Sequence, residues 1–264
     1  MKKLLAASLC FLISLTLFGC AEKEEARFYE SKAYIIQSTG DVNLRESTYD
    51  ENWNLTLSYT TLNGNFASKV EYEYSEDFTV LTSKSTSAIY PPETSKVIRT
   101  FDEKGQVIKA ESYSGDRHIS TTEYTYDDNG EMTFVRSTYP ESDVVTTIQR
   151  IFDEEGNLVT YIQDTGYYVG RYEYAYNQKN QRIREEYYRD DVQLDYVDFS
   201  WEGNVGTGTS CKVDGTPMGM QLLEYDDHGN LLRLESQDLS GTTLSVICYE
   251  YIGTDGSISS GIPE

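Results

Sequence analysis

Phe152-Asp-Glu-Glu-Gly156-Asn-Leu158 is one copy of a motif that decides the fold of this 264-residue chain. The pattern returns as Phe101-Asp-Glu-Lys-Gly105-Gln-Val107, Tyr126-Asp-Asp-Asn-Gly130-Glu-Met132 and Tyr225-Asp-Asp-His-Gly229-Asn-Leu231. Its aromatic anchors are Tyr49, Tyr74, Phe101, Tyr126, Phe152, Tyr176, Trp201, Tyr225 and Tyr251, spaced by 25, 27, 25, 26, 24, 25, 24 and 26 residues. A fixed period of this size marks stacked supersecondary units, each of which needs its neighbours to bury a face.

A second turn signal divides each period, for example Asn63-Gly64, Ser114-Gly115, Asp190-Asp191, Asp214-Gly215 and Ser240-Gly241. Such pairs supply the positive φ of tight hairpins. Two turns per period leave two segments of about eight residues, a normal strand length. Tyr172, Tyr174 and Tyr176 share one face of such a segment, and Arg171, Glu173 and Ala175 share the other. Period-two alternation rich in Tyr, Thr, Val and Ile predicts half-buried antiparallel strands.

Each part of the motif has a physical task. The aromatic ends a strand on the packed face. The acid after it bonds backbone within the turn. Glycine four residues past the anchor takes the left-handed conformation, and the aliphatic residue two further on restarts the packed face. Asn180 replaces Gly tolerably, but Trp53 and Phe78 do not, so the first two turns are expected to differ. Arg182 occupies an aliphatic slot, Glu202-Gly203-Asn204 reads as a shortened turn, and Gly256 falls five residues after Tyr251 instead of four. Gly203-Asn-Val-Gly206-Thr-Gly208 reads as a bulged or mobile strand.

These motifs resemble the YD repeats of the RHS family over residues 49–258. The resemblance implies strings of β-hairpins wound into a spiralling sheet. In large RHS toxins that sheet surrounds a C-terminal toxin domain. This sequence ends 13 residues after its last anchor, so the toxin role is not expected to carry over. The chain is more similar to small YD-repeat lipoproteins of bacterial surfaces.

Nine two-stranded repeats give about eighteen strands, and at about 4.8 Å each a flat sheet would be about 80 Å wide. Open sheets of that size twist, curl or split. The expected fold is therefore all-β: one continuous antiparallel meander, curled or coiled on itself. A propeller, with four strands per blade, would hold four and a half blades. An 18-stranded membrane barrel fits the count but needs an apolar outer band, and neither face here is apolar. Cys211 and Cys248 fall three strands apart, about 14 Å. A disulfide needs Cα atoms within about 7 Å, so free thiols are expected.

The chain has 44 acidic and 22 basic residues, a net charge of −22. That balance argues against nucleic acid and against docking on anionic headgroups. Twenty-three Tyr and nine Phe, in register, argue against an acidic disordered chain. His118 and His228 are the only histidines, and no pair stands at metal-ligand spacing. There is no Gly-x-Ser-x-Gly elbow, P-loop or dinucleotide fingerprint. No catalysis, metal or cofactor is expected. Acidic tips such as Asp102-Glu103 and Asp127-Asp128 line one sheet edge. They are either solvated turns or weak Ca²⁺ sites, although none matches the EF-hand loop. The aromatic face either packs as core or lines a space for a glycan or an apolar ligand. The oligomeric state and any protein partner are left open.

Met1-Lys2-Lys3, the apolar run Leu4 to Phe18 and Leu17-Phe18-Gly19-Cys20 follow in the order of a signal segment. They resemble the lipobox of bacterial lipoproteins, with Phe18 bulkier than usual. The resemblance implies cleavage after Gly19 and lipid on Cys20. Residues 1–19 thus read as the signal peptide, 20–32 as a charged tether and 33–264 as the repeat domain. The expected location is the cell envelope, facing outside the cytoplasm, on the plasma or outer membrane. Several acyl chains at about 0.8 kcal/mol per buried CH₂ make a stable anchor. In cells, Cys20→Ser is expected to abolish incorporation of labelled fatty acid. Undiminished labelling would place the lipid elsewhere.

Overall fold

The computed structural model describes residues 28–89, 92–254 and 257–262. Residues 1–19, Cys20 and Gly256 lie outside that range. Among the described residues every regular element is a strand. The first nine are β1 (Phe28–Gln37), β2 (Val42–Tyr49), β3 (Leu55–Leu62), β4 (Asn65–Tyr74), β5 (Val80–Ser87), β6 (Glu93–Phe101), β7 (Val107–Ser114), β8 (Arg117–Tyr126) and β9 (Met132–Tyr139). The rest are β10 (Ser142–Phe152), β11 (Leu158–Asp164), β12 (Val169–Tyr176), β13 (Arg182–Arg189), β14 (Val192–Glu202), β15 (Val205–Lys212), β16 (Pro217–Tyr225), β17 (Leu231–Gln237), β18 (Thr243–Gly253) and β19 (Ile258–Ser260). All nine anchors lie within two residues of the end of an even-numbered strand, so their turns share one rim. The turns after odd-numbered strands form the other.

The meander is antiparallel throughout, but it is not an open curled sheet. β1 pairs with β2 and also with β18, from Phe28↔Gly253 to Gln37↔Ser245. Eighteen strands thus close into a barrel, while β19 pairs with the end of β18 beyond its contact with β17. The physical reason is the edge. An open sheet would leave two rows of unpaired backbone groups, and closure removes both. β1 begins at Phe28 and so takes in residues 28–32, the end of the segment read as tether.

The anchor turns are built as the motif requires. Asp226 Oδ1 accepts from the N–H groups of His228 and Asn230, at 2.9 and 2.8 Å. Asp102 and Asp127 bond the corresponding pairs in their turns, and Asn177 does the same with its amide oxygen. The glycine N–H returns to the carbonyl of the acid, as in Gly156 to Asp153 at 3.1 Å. The tips are therefore turn devices, with one oxygen committed to backbone. Among the described residues no group of three or more His, Cys, Asp or Glu is arranged to hold a metal.

The expectation that Trp53 and Phe78 cannot stand in for glycine fails, and of the two turns only the second differs from the rest. Trp53 and Phe78 adopt the left-handed conformation themselves, at φ 62° and 58°. Trp53 N–H bonds Asp50 O at 3.1 Å, the same closure glycine makes elsewhere. That conformation costs a non-glycine residue about 1–2 kcal/mol. An aromatic pair returns about 0.5–1.5 kcal/mol. Trp53 stacks on Tyr29 at 5.0 Å and Phe78 packs on Tyr74 at 5.9 Å, so ring contacts offset most of the strain. The turn at Phe78 does differ in length, since Ser75 N–H reaches Val80 O and Asp77 supplies the carboxylate.

β15 is also not bulged against β14, whose register runs unbroken from Asp195↔Lys212 to Glu202↔Val205. Its glycines make room for rings. A Cβ on Gly206 would stand 2.8 Å from Trp201, and one on Gly208 2.6 Å from Phe199. Cys211 and Cys248 are free thiols, three strands apart, as the strand count predicts.

Gly156 has φ 84° and open space where a Cβ would stand. Gly156→Ala is therefore expected to cost about 1–2 kcal/mol through conformation alone. A denaturation midpoint equal to that of the parent would contradict this turn geometry. Asp153 has its pKa lowered below 3.8 by hydrogen bonds from Asn157. Its contribution is present above that value and is lost as pH falls through the lower folded value. Asp153→Ala should lower the midpoint at pH 7, and the gap should close in stronger acid. A gap independent of pH would show that the charge does not hold the turn.

Candidate functional site

The two faces of the wall differ in burial and chemistry. Along β8, Glu123 and Thr125 are exposed while Tyr124 and Tyr126 are half-buried. Along β14, Asp198 and Ser200 are exposed while Val197 and Phe199 are buried. Side chains converge inside a closed barrel and diverge outside it, so the anchor-bearing face is the inner wall. The outer wall carries cross-strand and same-strand ion pairs at mid-strand: Lys69–Glu71 at 2.8 Å, Lys109–Glu111 at 3.1 Å and Arg184–Asp198 at 2.7 Å. Each Lys or Arg facing lipid at the midplane would cost about 2–4 kcal/mol. The outer wall carries charged pairs together with exposed apolar side chains such as Phe134 and Ile151.

The inner wall does not pack across the barrel. Buried hydrophobic residues are few among the described residues, and no side chain larger than that of Cys248 is under 2 % exposed. The two buried clusters, Ala33–Tyr249–Tyr251 and Val197–Phe199–Leu223, each join strands at most two apart. Among the described residues, strands whose backbones approach closely are hydrogen-bonded neighbours, and no strand backbone crosses the interior. About eight strands enclose a space that side chains fill, whereas sixteen to eighteen leave a channel. The packed-core reading of the aromatic face is thereby corrected: the anchors line a wall.

The anchors explain why Tyr and Trp serve better than Phe. Tyr126 Oη donates to Val107 O at 2.9 Å, Tyr176 Oη to Leu158 O at 2.9 Å and Trp201 Nε1 to Arg182 O at 2.7 Å. In each case the acceptor is the restart residue of the preceding repeat. Tyr49 Oη donates likewise to Glu30 O at 2.8 Å, and burial pushes its pKa up to about 12. The phenols therefore stay protonated and donating. Turns are also tied to their neighbours, as by Gln181 Nε2 to Gly203 O at 2.8 Å. Arg182 fills its aliphatic slot by lying over aromatic rings, 4.9 Å from Phe199 and 5.6 Å from Tyr174, with Glu185 at 2.9 Å.

At the anchor rim Tyr176, Arg182, Trp201, Tyr225 and the turns around them line an open cavity of about 540 Å³. One level deeper, two residues before the anchors, the inner wall carries Ser47, Tyr72, Arg99, Tyr124, Arg150, Tyr174, Phe199, Leu223 and Tyr249. Toward the far rim the wall turns to hydroxyls, including Ser85, Ser112, Ser120 and Ser137. Glu185 and Asp195 also face inward, and burial raises both carboxyls above their ordinary range. His118 is held by Thr121 Oγ1 and Ser120 O. The inward charges were missed in the sequence, although their parity with the anchors marks them: Arg99 and Arg150 stand two residues before Phe101 and Phe152.

No family profile and no curated protein sequence matches the chain. Among solved structures it is similar to the TcdB2-TccC3-TEV protein, at 13% identity and TM-score 0.22, over 85% of this chain and 17% of that one. It is also similar to a porin-like protein from Bacteroides uniformis, at 10% identity and TM-score 0.32, over 84% of this chain and 96% of that one. The chain thus spans about a sixth of the length of the first. At these TM-scores neither likeness bears on function, and the barrel assignment rests on the strand pairing itself.

Proposed function

We propose that this protein is a non-catalytic binding module of the cell envelope, lipid-anchored through Cys20, that holds an apolar ligand inside its barrel. The observation that carries the reading is the unpacked inner wall, with aromatic rings at two levels below one rim. Apolar wall left open to water is costly at about 25 cal/mol per Å², and a ligand that covers it recovers that free energy. Pockets with aromatic and aliphatic walls and few convergent polar groups are the usual form of small-molecule sites. The charged pairs of the outer wall favour a barrel held beside a membrane over one embedded in it. A glycan remains the second reading, favoured by the hydroxyl-rich sector near the far rim, since Tyr rings and Ser hydroxyls both suit sugars.

Residues 21–264 contain every strand among the described residues and suit a test without the lipid. A neutral fluorescent apolar probe such as N-phenyl-1-naphthylamine should bind this chain with a blue shift. Tyr124→Ser and Tyr174→Ser should weaken it several-fold. No uptake by a chain with full β-sheet circular dichroism would refute the reading.

A further inference from the structure

We infer that the anchor rim carries a second site, a notch above β14 and β15 that takes a short peptide with free termini, its carboxylate toward Lys179 and its ammonium toward Asp227. The site is separate from the interior proposed above and does not depend on the ligand held there.

The notch follows from the one turn that the repeat shortens. Residues 177–181 join β12 to β13 and residues 226–230 join β16 to β17, whereas Gly203 and Asn204 alone join β14 to β15. The rim therefore dips between two taller turns. The cavity of about 540 Å³ lies in that dip and has the ordinary size of a small-molecule site. Two side-chain amides fix its edges. Gln181 Nε2 donates to Gly203 O at 2.8 Å, and Asn204 Nδ2 donates to Asp227 Oδ1 at 2.9 Å. The short turn is thus held from both sides before any ligand arrives, which lowers the ordering cost of binding.

Tyr176, Trp201 and Tyr225 line the cavity from below. Trp201 and Tyr225 lean together across β15, with ring centroids 5.9 Å apart. Gly206 permits this, since a Cβ there would stand 2.8 Å from the indole. Trp201 Nε1 is committed to Arg182 O at 2.7 Å, so the indole offers its apolar surface. Among the described residues the Tyr225 hydroxyl makes no restart-carbonyl bond of the kind made by Tyr126 and Tyr176. It is available to donate to a peptide carbonyl.

Charge is divided across the cavity. On one side stands Lys179, without an ion-pair partner among the described residues, beside Arg182, whose charge Glu185 offsets at 2.9 Å. On the other side Asp226 is committed to Asn230 and Ser259, at 2.8 and 2.6 Å, whereas Asp227 spends one oxygen on Asn204. β13 and β16 stand three strand spacings apart, about 14 Å. The two charges of a single amino acid are too close together to meet both sides, and a neutral sugar uses neither. Three extended residues span about 10 Å, and the flexible Lys179 stem covers the remainder. A central apolar side chain then rests on the Trp201 and Tyr225 rings.

Calorimetric titration of residues 21–264 tests this with the peptide Ala-Leu-Ala, its N-acetyl form, its C-terminal amide, leucine and maltotriose. Ala-Leu-Ala should bind about fivefold more tightly than either blocked form, the scale of one exposed ion pair. Leucine and maltotriose should not bind measurably. Lys179→Gln should cost about fivefold with the free and N-acetyl peptides and nothing with the amide. Asp227→Asn should cost as much with the free peptide and the amide, and spare the N-acetyl form. The spared form shows in each case that the variant folds. Lys104→Gln, in the turn after β6, should change nothing. Equal affinity for the three peptides, selectivity that both variants leave intact, or no binding by any peptide would overturn the inference. Binding of maltotriose without the peptides would replace it with a sugar site. Uptake of N-phenyl-1-naphthylamine should be the same in both variants as in the parent, so failure at the notch and failure of the interior role are read separately.

Discussion

The β1–β18 ladder is the constraint on which the rest of this protein depends. A wall one strand thick, with little packed mass within, cannot draw its stability from a central core. Its stability comes from backbone pairing, from cross-strand side-chain contacts and from the absence of free edges. Without the ladder from Phe28↔Gly253 to Gln37↔Ser245, both end strands would expose their N–H and C=O groups along their length. The inward face would then lose its enclosure. Closure also fixes what counts as inside, and so decides that the tyrosines face one another across a space.

Within that wall several repeats are tied to the one before by polar groups on otherwise apolar side chains. Tyr126, Tyr176 and Trp201 each place a ring on the inner face and donate a hydroxyl or indole N–H to the restart carbonyl 18 or 19 residues earlier, on Val107, Leu158 and Arg182. The same turn uses a carboxylate to hold its own amides, and in several repeats a side-chain amide to hold the next turn. Neighbouring turns are therefore coupled in series around the rim. Phe101 and Phe152 lack the hydroxyl and contribute only their rings.

Charge follows the same geometry. Acids concentrate in turns, where they accept backbone N–H groups. Lys and Glu or Arg and Glu meet on the outer wall, where exposed pairs contribute up to about 1 kcal/mol each. Inside, Arg182 and Glu185 neutralise one another among rings, whereas Arg99 and Arg150 do not meet acids. The net charge of the chain thus conceals an inner surface of different character.

The repeat, the turns, the alternation of faces and the free state of Cys211 and Cys248 were all legible in the sequence, because each depends on a few neighbouring residues. A left-handed glycine, an acid that caps a turn and a two-residue alternation act over less than ten positions, and strand spacing follows from counting them. The residues that departed from the rule were harder to read. Trp53 and Phe78 accept a strained φ only because Tyr29 and Tyr74 pack on them, and Gly206 and Gly208 exist for Trp201 and Phe199. Partners across strands decide such cases. The tertiary structure alone decided that the meander closes, since the two strands that seal it lie more than 200 residues apart and no local pattern records their pairing. It also decided that the aromatic face lines a space and is not folded into a core, because that depends on how many strands share the circumference and on nothing within a single repeat.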